Sequence, residues 1–290
     1  MRIALVTTLP SLIENGRIRE EVEKLGHEFL LVDMQGFGFE IEKGRLRVEN
    51  LTELSADVVI IRGVFLAIKT ISVVINGLRK KRVKIFDNNF LEHRYSIDKV
   101  TDLVKLAESG ISVPDTYYSR DFASYYSDAE KLGFPVVIKS SRMGKGANVF
   151  LVKSEGDLKN LISEAESEGK TAKGFLIQKF IDYEYDLRVL VIGESVFTMR
   201  RIPGEGEFRA NFSLGGSVEK FDLDAEGRKL AISALKSVDM TVGGVDILIA
   251  KDGSRYILEV NHTAGFVGME KATGENIGKV YVEHAIANAK

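Results

Sequence analysis

The sequence predicts an α/β protein with a parallel-sheet lobe at its N-terminus and α+β lobes after it. The first observation is a βαβ alternation over residues 1–89, with strands in RIALVTT, EFLLVD, DVVIIRG and RVKIFDN. The second is a later series of apolar segments that predicts a largely antiparallel sheet: GFLIQKFI, DLRVLVIG, ESVFTMRRI, GGVDILIAKDG and YILEVNH. Before it, FPVVIKSSRMGKGANVFLVKS predicts two strands joined by a glycine turn. The third is a 44% share of hydrophobic residues in a chain of 290, enough to bury a sizeable core.

Composition excludes several classes of function. The chain has no cysteine, so it can hold no disulfide, thiolate zinc site or cysteine nucleophile. Its net charge of −2 gives no reason to expect a nucleic acid or an anionic membrane as partner, and the basic stretch RKKRVK is short. The apolar run VFLAIKTISVVI is interrupted by Lys69 and cannot span a bilayer. With no signal peptide in view, we expect a cytoplasmic protein.

Helices are predicted between the strands. No glycine-rich fingerprint follows the first strand, so the usual dinucleotide site is not expected there. In SIDKVTDLVKLAESG, Ser96 could cap a helix whose apolar positions share one face: Val100, Leu103, Val104 and Ala107. The other predicted helices lie in LIENGRIREEVEKLG, EGDLKNLISEAESEG, AEGRKLAISALKSV and NIGKVYVEHAIANAK.

Acidic and amide side chains interrupt two apolar strands near the end of the chain. Asp246 lies inside GGVDIL, where an isolated buried carboxylate would be costly. Glu259 and Asn261 stand two residues apart in YILEVNH, so strand alternation presents their oxygens on the same side. Oxygen donors without a His or Cys ligand set fit Mg²⁺ or Mn²⁺ held partly by substrate phosphates. The alternative is a hydrogen-bonded structural cluster, and we favour the metal.

Two lysines stand where they could meet phosphates. Lys139 leaves the apolar strand FPVVIK just before SSRMGKGANVF, a glycine turn whose backbone N–H groups could wrap a polyanion. Lys99 stands in the first turn of its helix, where a cation opposes the helix dipole unless an anion is near. Taken singly, an ordinary surface lysine is the alternative for each.

Two further stretches carry polar groups beside strands. The strand LIQKFI leads into DYEYDLR, where main-chain groups could bind an adenine edge and an acid could hold ribose, although a solvated acidic loop is the alternative. In MRRIPGEGEFRANFSLGG, the cluster of Arg200, Arg201, Arg209 and Asn211 could neutralise a carboxylate and a phosphoryl group, or form a solvated hairpin. The four histidines show no zinc-site spacing.

Taken in order, these motifs resemble the ATP-grasp superfamily, and within it the RimK-like carboxylate-amine ligases. The matching stretches run from about Ile85 to the C-terminus: DK at residues 98–99, PVVIKSSRMGKGANV, LIQKFI, DLRVLVIG, RRIPGEGEFRAN, GG, GGVDIL, EVN and TGENI. The resemblance implies an ATP-grasp fold with an N-terminal Rossmann-like pre-ATP-grasp domain. It implies three parts: residues 1–89, a central subdomain over 90–176 with the glycine-rich loop, and a C-terminal subdomain over 177–290 with the metal site.

The resemblance also implies roles for individual residues. The implied ATP-binding residues are Lys99, Lys139, Ser141, Gly144, Gly146, Gln178, Lys179, Phe180, Ile181, Asp186 and Arg188. Within this set the two lysines would contact phosphates, the segment from Gln178 to Ile181 would be the adenine hinge, and Asp186 would hold the ribose. The implied ligands of two Mg²⁺ ions are Asp246, Glu259 and Asn261, with Mn²⁺ as a possible substitute. The implied catalytic residues are Arg201, Arg209 and Asn211.

The implied reaction joins a carboxylate to an amine through an acyl phosphate at the expense of ATP. The acceptor remains open, because EVNHTAG departs from the usual pattern of glutamate-adding members and its NHT is similar to LysX-type ligases acting on a carrier protein. We favour addition of L-glutamate to a protein, peptide or cofactor carboxylate. The alternatives are a LysX-like ligase and a non-catalytic ATP-binding regulatory protein. The resemblance is also compatible with a homo-oligomer.

Overall fold

The N-terminal lobe is a four-stranded parallel sheet in the order β2-β1-β5-β6. The computed structural model describes residues 1–48, 54–87, 98–119, 121–141, 149–202 and 217–290. The strands of this lobe, with a separate β3–β4 hairpin, are β1 (Arg2–Thr7), β2 (Glu28–Asp33), β3 (Phe39–Glu42), β4 (Arg45–Val48), β5 (Val58–Ile61) and β6 (Lys84–Asp87), and its helices are α1 (Ile13–Lys24) and α2 (Ile68–Lys80). Nearly all of β1 and every residue of β5 are buried, as expected for parallel strands covered on both faces.

The central lobe is a four-stranded antiparallel sheet with two helices on it. Its sheet order is β7-β10-β8-β9. Its elements are β7 (Thr116–Tyr117), α4 (Ser124–Leu132), β8 (Val136–Ser140), β9 (Val149–Val152), α5 (Glu155–Ser167) and β10 (Phe175–Lys179). The lobe has a hydrophobic core of its own, formed between these helices and the sheet around Tyr125, Leu158 and Ile177.

The C-terminal lobe is built on a five-stranded antiparallel sheet in the order β13-β12-β11-β14-β15. Its strands are β11 (Tyr183–Ile192), β12 (Ser195–Ile202), β13 (Ser217–Lys220), β14 (Val242–Ala250) and β15 (Arg255–Asn261). The helices packed around this sheet are α3 (Lys99–Glu108), α6 (Ala225–Ser237), α7 (Val267–Thr273) and α8 (Ile277–Asn288). The predicted antiparallel pairing after a parallel sheet is confirmed. The prediction of one sheet is wrong for GFLIQKFI, because this strand, β10, pairs with β7 and β8 in the central lobe and not with the strands of the C-terminal sheet.

Helix α3 differs from the sequence prediction at its start and on its buried face. The predicted cap, Ser96, lies outside the described residues, and Asp98 caps the helix by accepting hydrogen bonds from the backbone N–H groups of Val100 and Thr101. The buried side chains are those of Asp102, Leu103 and Leu106. Of the predicted apolar face, Val104 and Ala107 are exposed, because α3 turns its Leu106 side into the core of the C-terminal lobe.

The N-terminal and C-terminal lobes share one hydrophobic core. Residues of β1, α1 and β5 pack with residues of β11 and of helices α7 and α8, including Leu5, Ile60, Phe266 and Tyr281. Strand β10 crosses the boundary predicted at residues 176/177 while remaining paired with β8, so we propose that the central lobe ends at the crossing after β10. Within the described ranges, no helix has the length and apolar character needed to cross a bilayer.

Candidate active site

The pairing of four strands gathers ionic side chains on one face of the C-terminal sheet. Directly opposite residues of an antiparallel pair lie on the same face. The register places Arg201 of β12 opposite Asp186 of β11, Arg188 of β11 opposite Asp246 of β14, and Asp246 opposite Glu259 of β15. Because Asp186 and Arg188 are two residues apart, strand alternation puts the whole series on one face.

Asn261 extends the same face toward the N-terminal lobe. It lies two residues after Glu259 and opposite Gly244. A Cβ atom at Gly244 would lie 2.9 Å from the Cβ atom of Ala264 and 3.3 Å from Nη1 of Arg188. Only glycine therefore allows Ala264 and Arg188 to pack this close to the strand. The Asn261 Oδ1 atom accepts a hydrogen bond from the backbone N–H of Thr263 at 3.1 Å, which fixes the amide.

Asp246 is the centre of this ionic cluster. Its Oδ2 lies 3.1 Å from Nη2 of Arg201, which also donates through Nε to Asp186. Its Oδ1 lies 3.0 Å from Nε of Arg188, but this ion pair is not aligned as a hydrogen bond, and within the described ranges the buried Oδ1 accepts no hydrogen bond. A lone pair on this oxygen is therefore available to a further positive group.

Burial and neighbouring charges set the protonation of the cluster. Burial opposes the ionised form of Asp246, but Arg188 and Arg201 outweigh it and hold the pKa of Asp246 below its ordinary value. Burial raises the pKa of Asp186 to about 7, against the opposing effect of Arg201. Asp246 is thus ionised at neutral pH and can serve as a metal ligand.

Lys139 lies half-buried beside this face. Its Nζ donates to Oε1 of Gln178 at 2.6 Å, and Nε2 of Gln178 donates to Oγ1 of Thr116 at 2.8 Å. Burial lowers the pKa of Lys139 to about 8, with the Glu259 carboxylate opposing that shift. The side chain of Gln178 therefore positions Lys139, a function that the sequence alone did not indicate.

Lys99 is the second lysine at the site. Its Nζ lies 2.8 Å from Oε2 of Glu259, and its backbone N–H donates to the carbonyl of Ser141 at 3.4 Å. The first turn of α3 is therefore joined both to β15 and to the end of β8. This contact supplies the anion that a lysine at a helix N-terminus requires.

A cleft between the central and C-terminal sheets contains these groups. It has a volume of about 820 Å³ including the open space at its mouth, and its apolar walls are formed by Pro114, Val137, Val149, Leu248 and Leu258. The chain crosses from β10 to β11 along one side of the cleft through residues 180–182, which belong to neither strand. The main-chain groups of Phe180 and Ile181, which line the cleft, can bind a planar polar ring edge, whereas the carbonyl of Asp182 accepts a hydrogen bond from the backbone N–H of Lys251.

The structure brings most of the predicted site residues to this cleft. The lining includes Lys99, Lys139, Gln178, Lys179, Phe180, Ile181, Asp186, Arg201, Asp246 and Glu259. Arg188 contacts the cleft through Asp246, and the buried Ser141 places its hydroxyl 3.5 Å from the carbonyl of Lys173. Gly144, Gly146, Arg209 and Asn211 lie outside the described residues. Asp186 faces Arg201, an ionic partner that the ribose prediction did not include.

The donor set is suitable for Mg²⁺. Among the described residues, no group of three or more His, Asp or Glu side chains is placed to hold a metal ion, so the protein can offer two carboxylates and the Asn261 amide. Oδ1 of Asp246 has an ion-pair partner in Arg188 but accepts no hydrogen bond among the described residues, so it keeps a lone pair that fits a metal ion. Mg²⁺ usually binds through one or two carboxylates and keeps its other positions for water and phosphate oxygens, so the fit requires a nucleotide.

The sequence missed one contact that holds the site together. Nε2 of His262 lies 2.8 Å from Oδ2 of Asp102, and both side chains are buried. This pair joins α3, which carries Lys99, to the end of β15, which carries Glu259 and Asn261. An acid in the first turn of a helix is ordinary, so only the position of His262 directly after Asn261 could have suggested the contact.

The comparison with protein families decides the class of this chain. A model of the RimK-like ATP-grasp domain matches residues 96–285. The chain belongs to the RimK-like ATP-grasp family. The membership predicted from the motifs is confirmed, as is the prediction of a family of ligases.

Relatives of this RimK-like chain include named glutamate ligases and synthases. A probable alpha-L-glutamate ligase 2 of Pseudoalteromonas atlantica is 30% identical over 298 residues, covering 100% of this chain and 97% of the relative. The human N-acetylaspartylglutamate synthase A is 32% identical over 197 residues, covering 66% of this chain and 49% of the synthase. The chain therefore spans about half the length of that synthase.

Solved structures support the RimK-like fold over the whole chain. The ATP-grasp ligase PsnB, in complex with a phosphomimetic variant of a minimal precursor, Mg and ADP, gives a TM-score of 0.75 at 20% identity and covers 99% of this chain and 98% of PsnB. A RimK domain protein of Sphaerobacter thermophilus gives a TM-score of 0.73 at 18% identity, and the match covers 98% of this chain and 99% of that protein. The predicted ATP-grasp fold is confirmed.

Proposed function

We propose that this protein is an ATP-dependent carboxylate-amine ligase that forms an amide bond. The proposal rests on one observation: a single cleft contains the carboxylates of Asp246 and Glu259 together with Lys99 and Lys139. The segment that connects β10 to β11 lies along one side of the same cleft. A binding site for a phosphate chain and a divalent cation needs both signs of charge within a few ångströms. Family membership supports the same reading.

The shape of the cleft supports the proposal that it binds ATP. The adenine would lie between the apolar walls and bind main-chain groups of the segment from Gln178 to Ile181, which lines the cleft. Lys139, positioned by Gln178, would then donate to phosphate oxygens, and Lys99 would reach them from the N-terminus of α3. The glycine-rich segment from Ser141 to Asn148, which the sequence predicts to close over the phosphates, lies almost wholly outside the described residues, and its role is part of the proposal.

Asp246, Glu259 and Asn261 are proposed to hold Mg²⁺. When bound, the metal neutralises charge that develops on the transferring phosphoryl group. Asp246 is kept ionised by Arg188 and Arg201, so it needs no proton loss at neutral pH. Arg201, which pairs with Asp186 and Asp246, is also proposed to neutralise an incoming carboxylate or phosphate oxygen. Arg209 and Asn211 are proposed to assist it.

The proposed reaction has two steps. A carboxylate oxygen of the acceptor attacks the γ-phosphorus of ATP, which breaks the bond to the β-phosphate oxygen and yields an acyl phosphate and ADP. The amine then attacks the acyl carbon, losing a proton as phosphate leaves, and an amide forms. Placing the reactants and excluding water supplies the rate enhancement without a covalent enzyme intermediate.

L-Glutamate is the proposed amine substrate. The support is the names of full-length relatives described as probable alpha-L-glutamate ligases, including one from Histophilus somni that is 29% identical over 98% of both chains. For the acceptor we propose a protein, peptide or cofactor carboxylate, and several structural neighbours were solved with precursor peptides. A LysX-like ligase would take another amino acid and a carrier protein.

A coupled assay tests the proposal. The purified protein is incubated with ATP, Mg²⁺, each amino acid in turn and a panel of peptides ending in glutamate, while phosphate release and new amide mass are measured together. We expect phosphate and amide in equal amounts with L-glutamate. Tight ATP binding without phosphate or amide from any pair would instead support a regulatory ATP-binding protein.

A further inference from the structure

The proposed metal ligand Glu259 is already paired with a cation of the protein itself. Its Oε2 lies 2.8 Å from Nζ of Lys99, and the contact stands in the open cleft, because the Lys99 side chain is 20% exposed and that of Glu259 is 27% exposed. A solute such as a nucleotide can therefore reach both groups. The lysine stem is flexible, so the ammonium group can turn to another anion without movement of α3.

The other carboxylate of the metal face is paired as well, but with cations that are fixed in place. Oδ2 of Asp246 lies 3.1 Å from Nη2 of Arg201, and Oδ1 lies 3.0 Å from Nε of Arg188. Arg201 is buried and is also paired with Asp186. Lys99 has no second ion-pair partner among the described residues, so the pair that it forms is the one that can be exchanged.

The charge around the metal face is positive before any ligand binds. The cations there are Lys99, Lys139, Arg188 and Arg201, and the carboxylates are Asp186, Asp246 and Glu259. Among the described side chains of this face, four positive charges therefore meet at most three negative ones. A free divalent cation is repelled by such a site at close range. The phosphate chain of a nucleotide carries several negative charges and reverses this balance.

The position of Lys99 requires an anion beside it. The residue stands in the first turn of α3, where the helix dipole disfavours a cation, and Glu259 supplies the compensating charge. Phosphate oxygens can supply the same charge, because lysine binds them as a point charge. When Lys99 turns to a phosphate, Oε2 of Glu259 loses its partner and becomes available to a hard metal ion.

We propose that the Lys99–Glu259 ion pair excludes divalent metal from the cleft until a nucleotide is bound. This inference rests on the proposed ligase function, in which Lys99 contacts phosphates and Glu259 binds Mg²⁺. Exchange of the lysine from the carboxylate to a phosphate opens the metal position only when the nucleotide is present. The free protein therefore takes up the metal together with the nucleotide and does not bind the free ion.

Binding of Mn²⁺ alone, in the absence of nucleotide, tests the exclusion. The electron paramagnetic resonance signal of free Mn²⁺ falls when the ion binds a protein, so it measures affinity in the parent, in Lys99→Met and in Lys99→Arg. Methionine has a similar length without the charge, whereas arginine retains the charge. We expect the parent and Lys99→Arg to bind Mn²⁺ weakly and equally, and Lys99→Met to bind it about tenfold more tightly.

Two further variants locate the effect. Lys105→Met is the matched control, because Lys105 lies on the same helix and forms an ion pair with Asp239, so this variant should keep the Mn²⁺ affinity of the parent. The double variant Lys99→Met/Glu259→Gln should lose the gained affinity, because Glu259 would be the ligand. Melting temperatures report on folding, and Lys99→Gln is a second uncharged variant that should show the same gain.

The affinity for ADP without metal tests the other half of the exchange. In titration calorimetry with EDTA present, Lys99→Met should bind ADP about tenfold more weakly than the parent, because the phosphates lose one ammonium group. Lys105→Met should bind ADP like the parent. The same substitution at Lys99 is thus expected to raise the affinity for the free metal and to lower the affinity for the free nucleotide.

The proposal is overturned if the parent protein binds Mn²⁺ alone as tightly as Lys99→Met does, if Lys105→Met gains the same affinity, or if the gain survives the loss of the Glu259 carboxylate. An ADP affinity that does not depend on Lys99 would also overturn it. Failure of the ligase function shows separately, as absent ADP binding or absent amide formation in the parent protein.

Discussion

At the scale of single residues, the half-buried Lys139 has a single neutral hydrogen-bond acceptor for its ammonium group, Gln178, among the described contacts. Burial is the main reason why its pKa falls to about 8. Phosphate oxygens would stabilise the charged form and raise the pKa again. Protonation of Lys139 and nucleotide binding should therefore be linked.

This linkage predicts the pH dependence of ADP binding. Below about pH 8 the free protein already carries the proton, so affinity is at its full value. Above that pH the complex must take up a proton, so affinity should fall about tenfold per pH unit. Titration calorimetry in buffers of different ionisation enthalpy measures both the affinity and the proton uptake. A Lys139→Met variant should bind weakly with no such slope, and an unchanged slope would assign the effect to another group.

Glu259 is the residue whose charge is proposed to matter most for the metal. In Glu259→Gln the shape is retained while one anionic oxygen is lost, so phosphate release should fall by about a hundredfold or more at fixed Mg²⁺. Circular dichroism should show little change in folding. The exposed Glu283, paired with Lys279 on α8, provides a control, since Glu283→Gln should retain full activity. Equal rates for Glu259→Gln and the parent would remove Glu259 from the metal site.

At the scale of elements, β14 depends on close approach of its neighbours at Gly244. A methyl group there would lie 2.9 Å from the Cβ of Ala264, closer than packed side chains come. Gly244→Ala should therefore destabilise the protein by about 1–3 kcal/mol in urea unfolding and reduce amide formation. Gly268→Ala in α7 is the matched control, because a Cβ there meets nothing within 4 Å. Similar stability in both variants would show that the turn at Ala264 shifts at little cost, and would contradict the predicted need for glycine at position 244.

Helix α3 is positioned at the site by the Asp102–His262 contact. In Asp102→Ala the buried imidazole loses this partner, which should cost about 1–3 kcal/mol of stability. ADP affinity should fall as well, because the start of α3 carries Lys99. Glu108→Ala, at the exposed end of the same helix, should change neither quantity. A stability loss without any change in ADP affinity would limit the contact to a structural role.

At the scale of the whole molecule, the lobes differ in how they share hydrophobic cores. Phe86 of β6 makes edge contacts with the rings of Tyr281 and His284 on α8, which joins the first and last lobes. The central lobe instead packs Phe175 against Phe122 inside its own core. The first and last lobes should therefore unfold together, with the central lobe less tightly coupled to them.

Hydrogen exchange can test this coupling. Phe86→Ala should cost about 3–5 kcal/mol and increase exchange in β1 and α8 together, while β8 and β10 keep their protection. Phe175→Ala should give the reverse pattern. Loss of protection throughout the chain in both variants would show that all three lobes form one cooperative unit.

Much of this architecture is predictable from the sequence, because the strands carry continuous apolar runs and the helices carry spaced ones. Asp246 was recognisable as a candidate site residue because a carboxylate inside an apolar strand requires a partner. Its pairing with Arg188 was not recognisable, since it depends on the register between β11 and β14. The contact of Lys99 with Glu259 was missed as well, because the two residues lie about 160 positions apart in the chain.

The separate interior of the central lobe also makes the molecule suitable for distance measurements. The chain contains no cysteine, so thiols introduced at the exposed Glu130 of α4 and Lys229 of α6 would be the only points of labelling. Spin labels at these two sites report the spacing between helices that belong to different cores. A narrower distance distribution after addition of Mg²⁺ and ADP would measure lobe closure directly in solution.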